Sequence, residues 1–237
     1  MKILAIVPAF NEADNIGGTV QAIRQAPVAL DIVVIDDGSK DRTASEARAA
    51  GAKVISLPFN LGIGGAVQTG FQYAHRHGYD IAVQIDGDGQ HDPAFLPQLL
   101  QPIKEGADMA IGSRFTADSG DGFKSTFSRR LGINFFVHLI NALTGSQVTD
   151  PTSGFRAQNK KLIAAFALQY PQDFPEPEAI VVARRMNAVI MEVPVVMRPR
   201  QAGKSSIRKF KSAYYMLKVT LAILLHMIRR REGVNLA

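Results

Sequence analysis

Ile81-Ala82-Val83-Gln84-Ile85-Asp86-Gly87-Asp88-Gly89-Gln90-His91 reads as a short buried strand that stops on two carboxylates. A brief, mostly apolar run bounded by a turn fits a strand covered on both faces. The same pattern recurs on either side of it. Ile3–Val7 runs into Pro8-Ala9-Phe10-Asn11-Glu12, and Ile32–Ile35 runs into Asp36-Asp37-Gly38-Ser39. Val54–Leu57, Met109–Ile111 and Val189–Met197 are further strands. Helical spacing fills the gaps at residues 12–25, Asp41–Ala50, Gly65–His77, Pro93–Lys104, Thr126–Leu143, 159–168 and 177–187. Strands alternating with helices predict an α/β fold with a mainly parallel, doubly wound sheet. Ligands in such sheets sit beyond the carboxyl ends of the strands, and the polar clusters all fall on that edge.

Composition narrows the chemistry. The chain has 237 residues, 46% hydrophobic and 20% charged, and no cysteine. That suits one good-sized core and excludes disulfides, thiolate metal sites and cysteine nucleophiles. The apolar run at the start is too short for a secretory signal, so a cytoplasmic location is expected. From Val196 onward there are ten Lys and Arg against the single acid Glu232, leaving 17 basic and 20 acidic residues in the rest. A mildly acidic body with a strongly basic tail points to an anionic partner.

Asp86 and Asp88 stand one residue apart at a strand end. Such hard oxygen ligands suit Mg2+ or Mn2+ bound jointly with a diphosphate. A lone Asp-x-Asp is more often a solvated turn; its position among the other clusters reverses that judgement. Asp37 is placed to accept from a ribose or a base, whereas Asp41 and Thr43 read as the start of a helix. Asn60-Leu61-Gly62-Ile63-Gly64-Gly65 lacks the Gly-Lys-Ser/Thr ending of a triphosphate-binding loop and reads as turn and packing chemistry. His75, His77, His138 and His226 fall on predicted helices with no chemical company, and His91 reads as lying behind the metal ligands.

Pro8-Ala9-Phe10-Asn11-Glu12, Asp36-Asp37-Gly38-Ser39, Asn60-x-Gly62-x-Gly64-Gly65, Asp86-x-Asp88-x-Gln90-His91, Gly112-Ser113-Arg114 and Ser153-Gly154-Phe155-Arg156 occur in the order of the family 2 glycosyltransferases. The chain resembles the dolichyl- and polyprenyl-phosphate sugar transferases of that family over roughly residues 2–210. The resemblance implies a GT-A fold and a metal-dependent, inverting transfer from a UDP- or GDP-sugar to a lipid phosphate. It also implies roles. Pro8, Phe10, Glu12, Ile35 and Asp37 would hold the nucleoside. Asp86, Asp88 and Gln90, with Gly87 between them, would take the metal and diphosphate. Arg114 and Arg129 would meet phosphates, Asp150–Arg156 with Ser153 would form the acceptor turn, and Glu178 would supply an acid beside the cleft. Arg200 and Lys204 fall on the loop that closes over phosphates; Ser206 stands where the family usually has lysine. Among the open donors, UDP-sugars are favoured because this tail departs from the mannosyl pattern.

A lipid phosphate is already an anion and needs no general base, whereas a sugar hydroxyl does. With a hydroxyl acceptor, Glu178 or Asp150 becomes the candidate base, beside Asp88 and Arg114. Processive polysaccharide synthases carry Gln-x-x-Arg-Trp and several membrane spans, and this chain has no tryptophan. A nucleotidyltransferase would also pair aspartates with Mg2+. A nucleic-acid-binding module leaves the strand-end acids unexplained, so no nucleic acid partner is expected. Residues 213–228 are apolar but shorter than the roughly 20 needed to span a bilayer, and they carry Lys218 and His226. The expected division is a catalytic domain over 1–206 and a basic amphipathic helix over 207–237. That helix would lie on the anionic inner face of the membrane, or pack against a second copy or a small membrane protein.

Overall fold

The computed structural model describes residues 1–116, 127–173, 175–198, 216 and 218–224. The strands are β1 (Ile3–Ala9), β2 (Asp31–Asp36), β3 (Lys53–Ser56), β4 (Ile81–Gln84), β5 (Met109–Ser113), β6 (Arg156–Asn159) and β7 (Ile190–Pro194). The helices are α1 (Ala13–Arg24), α2 (Thr43–Ala49), α3 (Gly62–Arg76), α4 (Leu96–Lys104), α5 (Phe127–Thr144), α6 (Lys160–Leu168) and α7 (Pro175–Arg185).

One sheet runs in the order β3-β2-β1-β4-β6-β5-β7. Helices cover both faces, as the unbroken apolar strands require. Ile16, Val20 and Ile23 of α1 and Leu96, Leu99 and Leu100 of α4 pack on one face. Val67 and Phe71 of α3, Phe136 and Ile140 of α5, Leu162 and Phe166 of α6 and Ile180 of α7 pack on the other. Strand order reverses between β1 and β4, which is where a doubly wound sheet opens a ligand crevice.

The sequence reading misses β6. This strand runs antiparallel between β4 and β5, and its residues Arg-Ala-Gln-Asn carry no apolar pattern. Arg156 is nonetheless fully buried. Its Nε, Nη1 and Nη2 donate to the backbone oxygens of Ser153, Glu176 and Pro151 at 2.7, 2.6 and 2.9 Å. A buried cation satisfied this way can sit in a strand. The reversal of direction matters for the site: Arg156 pairs with Gln84 and with Ile111, so the turn before it arrives at the carboxyl ends of β4 and β5.

Helix α3 begins three residues earlier than the spacing predicts, at Gly62. Asp37 Oδ1 accepts from Leu61 N at 2.7 Å and Oδ2 from Gly62 N at 2.9 Å, satisfying amides that a helix start otherwise leaves open. Gly64 is required two residues on, because a Cβ there would lie 2.2 Å from the Pro171 oxygen. The head of α3 is therefore fixed against the segment leading into α7.

Most of 207–237 lies outside the described residues. Residues 218–224 are helical. Val219 and Ile223 are buried in the same cluster as α5 and α7, while Leu221 and Leu224 are 52% and 39% exposed. Lys218 Nζ lies 2.7 Å from Asp173 Oδ2. This piece of the tail thus docks on the catalytic body by one face. No described helix is long and apolar enough to cross a membrane.

Candidate active site

One wall of the crevice is built by β1 and β2. Pro8 is buried in register with Ile35, and Ala9 with Asp36. Phe10 follows at the strand end and is 45% exposed. Asn11 takes a left-handed backbone, φ 53°. There its amide donates to Ser39 Oγ at 2.9 Å, and its side-chain oxygen accepts from Lys40 N at 2.9 Å. Glu12 N donates to Thr43 Oγ1 at 2.8 Å, and Glu12 Oε2 accepts from Asn15 Nδ2 at 2.7 Å. The strand-end loops are thereby stitched into one wall. Asp37 also belongs to that wall. Its two oxygens serve the head of α3, and burial, working against those two amides, pushes its carboxyl above the usual aspartate value.

β4 delivers Asp86 and Asp88 to the floor. Asp86 is fixed from behind: its amide donates to His91 Nδ1 at 3.0 Å, which leaves the ring hydrogen on Nε2, 3.7 Å from Asp86 Oδ2. The His91 ring is buried and stacks on Phe155 at 5.1 Å. Asp88 Oδ1 accepts from Gln90 N at 3.0 Å, and Arg198 N donates to the Gln90 backbone oxygen at 2.9 Å. Gly87 packs closely, its missing Cβ falling 3.0 Å from the Pro8 oxygen. A divalent cation suits this donor set. Two oxygen ligands one residue apart are what Mg2+ or Mn2+ takes from a protein when a substrate diphosphate and water complete the shell. Among the described residues no group of three His, Asp or Glu forms an all-protein cage.

Another wall comes from β5 and the turn before β6. Arg114 and Asp150, both singled out by sequence, are brought together and bind each other. Arg114 Nε donates to Asp150 Oδ2 at 2.6 Å and Nη2 to Oδ1 at 2.7 Å. Nη2 also reaches Thr152 Oγ1 at 2.8 Å. Asp150 is fully buried, so it acts as the seat of an arginine and not as an open base. Glu192 supports the pair from below, accepting from Asp150 N at 2.9 Å and from Thr149 N and Oγ1 at 2.9 and 2.7 Å. Burial pushes the Glu192 carboxyl up. Ser153 is buried inside its turn, its Oγ accepting from Phe155 N at 3.3 Å. Gly154 presses on the floor, a Cβ there falling 3.1 Å from Asp86 Oδ2.

Sequence reasoning selected Glu178 and passed over Glu176. Glu178 is 6% exposed in the first turn of α7. Glu176 is partly open to solvent and lies within electrostatic reach of Asp86 and Arg156. Burial pushes its carboxyl up, Arg156 pulls it down and Asp86 pushes it up again. The signal was present as Pro175-Glu176-Pro177-Glu178; what was missing was β6, whose Arg156 holds the Glu176 backbone. Arg130, next to Arg129, lines a cavity of about 220 Å3 with Phe115, Ile133, Asn134, Val137 and Thr149. The Arg129 side chain, Arg200 and Lys204 lie outside the described residues.

A family model described as Glycosyl transferase family 2 matches residues 4–166. An undecaprenyl-phosphate mannosyltransferase of Micrococcus luteus is 31% identical over 216 residues, covering 87% of this chain and 88% of the relative. A UDP-N-acetylglucosamine–dolichyl-phosphate N-acetylglucosaminyltransferase of Methanococcus voltae is 31% identical, covering 81% and 84%. The glucosyl-3-phosphoglycerate synthase of Mycobacterium tuberculosis, solved with Mn2+, UDP and phosphoglyceric acid, shares the fold. Its TM-score is 0.73 at 23% identity, over 98% of this chain and 80% of that one. The chain belongs to glycosyl transferase family 2.

Proposed function

We propose that this glycosyltransferase moves a sugar from a UDP- or GDP-sugar to a polyprenyl phosphate, working at the cytoplasmic face of a membrane. The observation that carries the reading is the placement of Asp86 and Asp88 at the switch point of the sheet, with the β1–β2 wall on one side and the Arg114 seat on the other. The relatives named for undecaprenyl and dolichyl phosphates support the acceptor class. They differ in the sugar they carry, so the sugar is not inferred from them.

Phe10, exposed at the end of β1, offers an apolar surface for a nucleoside, while Pro8 and Ile35 are buried in the paired strands that carry it. Asp86 and Asp88 would hold a Mg2+ or Mn2+ ion, which when bound supplies Lewis-acid neutralisation of the departing nucleotide diphosphate. Arg114 and Asp150 form a charge-balanced buried pair that fixes the end of β5 against the turn before β6, so this wall of the crevice needs no reorganisation during the reaction. The Arg130 cavity, cationic at one side and apolar at Phe115, Ile133 and Val137, suits a phosphate bearing a hydrocarbon chain. A phosphate oxygen attacks the anomeric carbon without surrendering a proton, so positioning is the main demand on the protein. Leu221 and Leu224, facing away from the core, provide the apolar side of a membrane contact.

Glu176 favours a second reading. A carboxyl raised above its usual range by burial and within electrostatic reach of Asp86 suits a general base for a sugar hydroxyl acceptor. Incubation of the purified chain with a panel of radiolabelled donors, Mn2+ or Mg2+ and vesicles containing polyprenyl phosphate separates the two. Label in the lipid fraction, absent in Asp88→Ala, supports the lipid phosphate. Transfer only to a soluble sugar acceptor supports the hydroxyl.

A further inference from the structure

β4 carries an amide where a strand buried on both faces would ordinarily be aliphatic. Gln84 is 1% exposed and follows Ile81, Ala82 and Val83. The period of two along a strand directs Gln84 and Asp86 to the same side. Gln84 Nε2 donates to Asp86 Oδ1 at 3.3 Å. Gln84 Oε1 is buried and has no hydrogen-bond partner among the described residues. Turning the amide over does not mend this, because Oε1 would then face a carboxylate oxygen, and two acceptors repel. An apolar side chain of the same size would leave no orphan acceptor and would be the more stable choice for the strand.

The amide is one of three restraints that converge on Asp86. His91 holds the backbone amide of Asp86 and directs Nε2 toward Oδ2. Gly154 leaves room on the third side, a Cβ there falling 3.1 Å from both Gln84 Nε2 and Asp86 Oδ2. The Asp86 side chain still keeps 37% of its surface open to the crevice. A carboxylate restrained from behind and open in front is arranged to meet a ligand in one orientation.

We propose that Gln84 is a positioning residue for the metal-binding carboxylate. Its amide sets the Asp86 rotamer presented to a divalent cation, and the orphaned Oε1 is the destabilising consequence of keeping that donor in place. The inference rests on Asp86 being a metal ligand. Partners behind a metal ligand typically change metal affinity about 10- to 100-fold when removed. The signature that separates positioning from packing is a loss of metal affinity without a loss of stability.

The test uses the full chain, with free Mn2+ counted by electron paramagnetic resonance in the presence of UDP, and thermal denaturation without metal. The variants are Gln84→Met, Gln84→Leu and Asp86→Asn; Gln84→Leu serves if methionine packs badly. The expected result for Gln84→Met is a Tm equal to or above wild type with Mn2+ bound about 10- to 100-fold more weakly. Unchanged Mn2+ affinity in both Gln84 variants overturns the positioning role while leaving the metal site standing. Affinity that falls only in step with Tm also overturns it. Absence of Mn2+ binding in wild type, or binding unaltered in Asp86→Asn, overturns the metal reading and this inference together.

Discussion

Arg114 and Asp150 form a two-point ion pair, Nε to Oδ2 and Nη2 to Oδ1 at 2.6 and 2.7 Å, with both side chains nearly sealed from water. The pair joins the end of β5 to the turn before β6, so a residue expected to meet phosphate is held in place by one expected to act as a base. Paired donors of this kind fix the plane of the guanidinium.

Removing one partner strands the other charge. Asp150→Ala is expected to lower unfolding free energy by about 3–5 kcal/mol, whereas the double variant Arg114→Met/Asp150→Leu should be close to wild type in stability. Urea denaturation of the three proteins measures this. A small effect of Asp150→Ala alone would show that the pair is not the seal the structure describes.

Asp88→Asn keeps the shape of the floor and removes a charge from it. Its Tm should match wild type, while turnover with Mn2+ should fall on the order of 100-fold or more, a loss of about 3 kcal/mol in barrier stabilisation. Steady-state nucleotide release reads the effect. Turnover within a few-fold of wild type would remove Asp88 from the chemistry.

Glu176 links the site to pH. Its carboxyl is raised chiefly by burial, so the folded chain holds that proton more tightly than the unfolded one. The stability this lends is fully present below the ordinary glutamate value of 4.5 and is lost as pH rises through the folded value. Glu176→Gln should therefore raise Tm at neutral pH, and its advantage should vanish below pH 4.5. A Tm difference independent of pH would contradict the assignment.

The described end of the tail has two faces with different duties. Ile223→Ala should cost about 2–5 kcal/mol, the range for emptying a buried aliphatic site. Leu221→Ser and Leu224→Ser should change stability by no more than about 0.5 kcal/mol and should weaken sedimentation with anionic vesicles. Vesicle binding by both serine variants equal to that of wild type would assign the exposed leucines no membrane role.

The alternation of strands with helices, the sheet edge and the Asp86–Asp88 floor were legible because each rests on local pattern: apolar runs, turn residues and carboxylates at strand ends. β6 was not legible, since Arg156 and Gln158 are buried by contacts from residues distant in sequence. The same long-range packing hid Glu176 and Gln84. That Asp37 also caps Leu61 and Gly62 was not legible, because those amides lie on another loop. The pairing of Arg114 with Asp150 likewise depends on how β5 and the turn before β6 meet, which composition and spacing do not encode.

The most direct measurement of the lipid-phosphate reading is sugar transfer to polyprenyl phosphate and to the matching polyprenol, side by side, by wild type and Glu176→Gln in the presence of Mn2+. The expected result is product from the phosphate alone, with Glu176→Gln retaining it within about tenfold, since an anionic acceptor needs no base. Product from the alcohol, abolished by Glu176→Gln, would contradict the proposed acceptor and make Glu176 the general base.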